Sequence, residues 1–90
     1  MKTLYPNHLV ARPEHVSLEK TDIRLGDTVY LQPKHGPQVI GTIIFSSSIF
    51  GSETYTADAI VGDEHLQQRL RIRFRHKDIH HVNTRSSASH

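Results

Sequence analysis

Residues 69–75 read RLRIRFR, with an arginine at every odd position and Leu70, Ile72 and Phe74 between them. Alternation this strict has the two-residue period of a β-strand, whose successive side chains leave opposite faces. The apolar three can enter a core while four guanidinium groups stay in water. The stretch predicts a half-buried strand of an all-β protein.

The flanking sequence extends that reading in both directions. Leu66 to Val82 has room for one or two strands, with a break near His76-Lys77-Asp78. Residues 54–61 (TYTADAIV) are rich in β-branched and aromatic side chains and predict another strand. Residues 39–45 (VIGTIIF) predict one more, in which Gly41 marks a bulge or tight bend. In residues 23–33 (IRLGDTVYLQP), Leu25-Gly26-Asp27 reads as a turn feeding a strand that places Val29 and Leu31 on one face. Pro33 ends that strand, and residues 34–37 (KHGP) form the next turn.

Four to five short strands of this kind predict a small, strongly bent antiparallel sheet or barrel with an irregular N-terminal arm. Bending has a physical motive, because an isolated hairpin is marginal in water and an open sheet leaves apolar edges exposed. The expected interior is Leu25, Val29, Leu31, Ile43, Phe45, Ile60, Leu70, Ile72, Phe74 and Val82. Ile40 and Ile44 have the opposite parity and need a bulge, a covering segment or a partner. Residues 1–22 are expected to be an arm packing through Leu4, Tyr5, Leu9 and Val10, with a short turn or single helical turn in residues 13–22. Residues 23–83 form the domain, and the polar residues 84–90 a frayed tail.

Ninety residues make one domain, with 36% hydrophobic residues and a net charge of +2. A chain of this size buries roughly 60–65% of its unfolded surface, so the core is small. The absence of cysteine excludes disulfides, thiolate metal sites and a cysteine nucleophile. No apolar run suggests a signal peptide or reaches the ~20 residues of a spanning helix. A cytoplasmic protein without membrane contact is the expectation.

Gly26-Asp27-Thr28-Val29 and Gly41-Thr42-Ile43, within residues 25–43, resemble the opening of an SH3-like barrel of the KOW or Tudor type. The resemblance implies a scaffold associated with RNA, ribosome, polymerase or peptide binding. Fold alone does not choose among these partners. An OB-like barrel accommodates the same local sequence.

Charge is unevenly distributed. Residues 69–85 carry a net +5 and the remainder of the chain −3. Arg69, Arg71, Arg73 and Arg75 recur about 6.8 Å apart on one strand face, and Lys77 and Arg85 extend the patch. Guanidinium groups offer forked donors to phosphates and stack on bases, which points to RNA or DNA bound mainly without sequence specificity. Tyr30 and Tyr55 are candidate stacking surfaces. The same stripe also serves as a solvated face, paired with Glu53, Asp58, Asp63 or Glu64, or as a protein interface. A rival apolar interface for a protein partner or homodimer comprises Ile40, Ile44, Ile49 and Phe50.

Eight histidines include a cluster in residues 76–81 (HKDIHH), in which His76 and His80 share a face if the segment is helical, and His76, Asp78 and His80 if it is extended. Their spacing completes no recognised metal signature, so surface histidines without metal are expected. If they lie near Arg75, falling pH adds positive charge there. Ser46, Ser47 and Ser48 sit in no nucleophile elbow, and no phosphate-binding glycine loop or zinc-protease segment occurs. The expectation is a non-enzymatic binding module without a cofactor.

Overall fold

A computed structural model describes residues 2–19, 23–62 and 65–83, with the backbone alone at Ile49. The fold is all-β. Seven strands, β1 (Lys2–Leu4), β2 (Leu9–Val10), β3 (Thr28–Pro33), β4 (Val39–Ile49), β5 (Ser52–Val61), β6 (Gln68–Arg75) and β7 (Ile79–Asn83), form one mixed sheet. Two 3-10 turns, Pro6–His8 and His76–Asp78, interrupt the strands. The tail at residues 84–90 lies outside the described residues.

The strand order is β1-β6-β5-β4-β3-β2, with β7 also pairing with β3. All neighbours are antiparallel except β1, which runs parallel to β6. The sheet does not close into a barrel by hydrogen bonding. It is nevertheless forced to curl, because β1 and β2 occupy the two ends of this path and only residues 5–8 connect them. The five backbone steps from Leu4 to Leu9 span at most about 17 Å, whereas six flat strands would spread about 24 Å.

Alternation dictates what faces the hollow. Val29 and Leu31 of β3, Tyr55, Ala57 and Ala59 of β5, and Leu70, Ile72 and Phe74 of β6 are buried, joined by Leu9, Val39, Ile43 and Ile79. Full burial of each large aliphatic or aromatic side chain contributes about 1.5–3 kcal/mol. The central strand β5 supplies small residues opposite large ones: Ala57 pairs with both Ile43 and Ile72, and Ala59 with Leu70. This small-against-large pairing suits the crowded concave side of a bent sheet. Tyr55 stacks on Phe74 with ring centroids 5.6 Å apart.

Three expected interior residues lie outside instead. Leu25 crowns the turn before β3. Ile60 has the parity opposite to Tyr55, Ala57 and Ala59, so the alanines turn inward and the larger isoleucine outward. Phe45 is turned out by a bulge: Ile43 pairs with Ala57 and Phe45 with the adjacent Thr56, leaving Ile44 as an extra residue. The irregularity falls at Ile44 and not at Gly41, which pairs regularly with Val29 and Ala59. Val82 is half-buried against the core.

Two buried aspartates close turns of the same form. Asp27 Oδ2 accepts from the Arg24 amide at 2.9 Å, and Asp78 Oδ2 from the Arg75 amide at 2.9 Å. Both turns read Arg-x-x-Asp, and the strands they begin, β3 and β7, pair with each other. The first is locked onto β4, since Gly26 N donates to Ile43 O and Ile43 N to Asp27 O.

The N-terminal arm is fastened along this edge. Arg12 donates its amide to Lys77 O at 2.7 Å and its Nη1 to the carbonyls of His76 and Ile79 at 3.0 and 2.9 Å. Leu9 is buried and Leu4 packs on the core, whereas Tyr5 and Val10 are exposed. The residues around Glu14–Val16 form a turn closed by Val16 N donating to Pro13 O, with no helix.

Candidate nucleic-acid interface

The convex face can be built from register, because paired residues on neighbouring strands share a face. One row runs Thr28, Thr42, Asp58, Arg71 and Thr3; the next runs Phe45, Thr56 and Arg73; a third runs Ser47, Thr54 and Arg75. Arg69 lies beside Ile60, and Ile40 beside Tyr30. All four arginines of β6 therefore lie on the outer surface, and Leu70, Ile72 and Phe74 are within.

Asp58 alters the charge of that surface. Its Oδ2 lies 3.6 Å from Arg69 Nη2 and its Oδ1 3.4 Å from Arg71 Nε, so one carboxylate serves two guanidinium groups. Arg75 Nε lies 3.3 Å from the buried Asp78. Arg73 is exposed and has no ion pair among the described residues. Lys77 is exposed on the second 3-10 turn. Arg85, Asp63 and Glu64 lie outside the described residues.

The aromatic component differs from the expected one. Tyr55 is buried on Phe74, its hydroxyl donating to Glu53 Oε2 at 2.6 Å. Burial first, then that hydrogen bond and the Glu53 charge, push the Tyr55 phenol well above its ordinary range. Tyr30 is half-buried, its ring 5.2 Å from that of His81, and its hydroxyl accepts from Asn83 Nδ2. An exposed aromatic ring on the arginine face belongs to Phe45, which is 59% exposed, and Tyr5, just after β1, is a second exposed ring near β6. Phe45 and Arg73 flank Thr56 from opposite sides, about 9.6 Å apart across the sheet by strand spacing. A signal for this is present in the Ile43-Ile44-Phe45 run, because three successive apolar residues cannot all face one side of a regular strand.

Ile40, Ile44, Phe45 and Ile60 form the exposed apolar part of this face. Phe50, at the tip of the β4–β5 hairpin, is fully exposed and has φ +52°, the left-handed region. The Ile49 side chain lies outside the described residues. The histidine cluster is dispersed: His80 Nε2 contacts Val10 O at 2.9 Å, His81 Nε2 contacts Asn83 Oδ1 at 3.1 Å, and Asp78 closes its turn. Among the described residues no group of three or more His, Asp or Glu side chains is arranged to hold a metal. No described helix is long and apolar enough to cross a membrane.

Compared with protein-family models, curated proteins and solved structures, the chain matches none.

Proposed function

We propose that the chain is a non-enzymatic binding module that contacts single-stranded RNA or DNA through the convex face of β6 and β4. The observation carrying this reading is that a cation without an ion pair among the described residues, Arg73, and an exposed ring, Phe45, lie on one surface on either side of Thr56. Arg73 offers forked donors to a phosphate, and Phe45 a flat apolar face to a base. Stacking on an aromatic side chain is worth about 1–3 kcal/mol per base and tolerates any sequence. Arg69, Arg71, Arg75 and Lys77 add a field that draws the strand in, reduced by Asp58 and Asp78. An SH3-like scaffold in the cytoplasm fits this role, and residues 25–43 support it through their Gly-Asp-x-Val and Gly-x-Ile steps.

The test is binding of labelled single-stranded RNA and single-stranded DNA, with duplex DNA for comparison, at low and moderate salt, with Arg73→Ala, Phe45→Ser and their combination. Salt-sensitive binding by the wild type that both substitutions weaken supports the proposal. Wild-type binding that is absent, or unchanged in the double variant, overturns it.

A second reading rests on a separate observation, the exposed Ile40, Ile44, Phe45 and Ile60 on the same face. These residues suit a protein partner or a second copy of the chain. A dimer stable to dilution that Ile60→Lys dissociates supports this reading over the first.

A further inference from the structure

Where the N-terminal arm crosses from one end of the sheet to the other, it leaves a groove of about 790 Å³. Its walls are the arm (residues 2–4 with Asn7 and His8), the β3–β4 turn, and the end of the β5–β6 hairpin. His8 O accepts from Lys34 N at 2.8 Å, tying arm and turn together at one side. The floor is aliphatic, formed by Leu4, Val39, Val61 and Leu70, and the outward-facing Ile40 and Ile60 belong to the same lining. The groove also presents Lys2, Lys34, Arg69, His8 and His35, and no carboxylate belongs to its described lining. Neither Lys2 nor Lys34 has an ion pair among the described residues.

We propose that this groove binds an amphiphilic organic anion, a carboxylate or phosphate ester carried on an aliphatic body. Its volume is within the range that encloses small ligands. The aliphatic floor gains by covering apolar surface, and no Phe, Tyr or Trp side chain belongs to its described lining. Lys2 and Lys34 leave uncompensated positive charge along the cavity, Arg69 being shared with Asp58, and a bound anion offsets that charge. A neutral lipid leaves Lys2 and Lys34 uncompensated, and a bare inorganic anion leaves the floor wet. Charge and apolar body are both required. The site shares Ile40, Ile60 and Arg69 with the convex face but does not depend on nucleic-acid binding.

The test uses the full chain with octanoate and octyl phosphate below their micellar concentrations, beside octanol, octyltrimethylammonium and inorganic phosphate. Binding is followed by calorimetry and by methyl NMR shifts at Leu4, Val39, Ile60, Val61 and Leu70. The expected result is saturable binding of at least one anionic amphiphile, about tenfold or more tighter than octanol, the cation or phosphate. Lys2→Gln/Lys34→Gln should weaken it about tenfold with an unchanged melting temperature, and Ile60→Ser should weaken it without altering the fold. Arg73→Ala should leave it intact, so failure of the nucleic-acid proposal and of this one can be told apart. Absence of binding, equal binding of the cationic amphiphile, shifts confined to other residues, or indifference to both variants overturns the inference. If octanoate binds but Arg73→Ala abolishes that binding, its assignment to a separate groove is overturned.

Discussion

Asp78 Oδ2 receives two hydrogen bonds from Arg75, one from the backbone amide at 2.9 Å and one from Nε at 3.3 Å. The carboxylate is wholly buried, and it joins the end of the arginine strand to the turn that begins β7. Asp78→Ala leaves the Arg75 amide without this acceptor and should destabilise the protein by about 2–3 kcal/mol. Asp78→Asn keeps an acceptor and should cost less. Urea unfolding measures both, and an alanine variant as stable as wild type would refute a structural role for the turn.

Asp58 restrains two arginines at once. Asp58→Asn should therefore raise affinity for single-stranded RNA, because it frees Arg69 and Arg71 together. Arg73→Ala should lower affinity and reduce the slope of log affinity against log salt by about 0.7 for each phosphate that is no longer neutralised. A titration series over several salt concentrations reads both effects. An Asp58→Asn variant that binds no more tightly would place the nucleic acid elsewhere.

The raised Tyr55 phenol makes stability fall in alkali. The folded state holds its proton to higher pH than the unfolded chain, which releases it near the ordinary phenol value of about 10. Above that value the unfolded state binds fewer protons, so stability declines as pH rises, while below it the contribution is fully present. Tyr55→Phe should flatten this alkaline decline and, at neutral pH, cost about 0.5–1.5 kcal/mol by removing the hydrogen bond to Glu53. Chemical unfolding at several alkaline pH values, compared between the two proteins, decides the matter.

Gly62 and Gly36 both have positive φ, +102° and +106°, but their surroundings differ. A Cβ on Gly62 would overlap the carbonyl oxygen of Leu66, whereas one on Gly36 would meet open space. Gly36→Ala should cost only the left-handed penalty, about 1–2 kcal/mol. Gly62→Ala should cost clearly more, because the β5–β6 turn has to move as well. Comparable melting temperatures for the two variants would contradict this account.

Phe50 occupies a backbone conformation that bulky residues disfavour, and its ring has no protein surface to cover. Phe50→Asn should stabilise the hairpin by about 0.5–1 kcal/mol, since asparagine before glycine is well suited to a two-residue turn. Thermal unfolding is the measurement. A destabilised variant would show that the ring contributes to the fold.

Much of this architecture is legible in local pattern. The alternation of residues 69–75 sends Leu70, Ile72 and Phe74 inward and the arginines outward, because side chains on a strand must alternate whatever its neighbours are. Val29, Leu31 and Ile43 follow by the same logic, and the all-β class follows from the strands together. Only tertiary pairing decides the rest. Register seats Asp58 between Arg69 and Arg71, the bulge at Ile44 carries Phe45 onto the arginine face, and the parity of β5 favours alanine over Ile60 for the interior. Curling of the sheet brings its ends close enough for the arm to bridge them, with two strands too short to be recognised in the sequence. Strand period is a property of neighbouring residues, whereas register, bulge position and edge pairing depend on contacts between residues far apart in the chain.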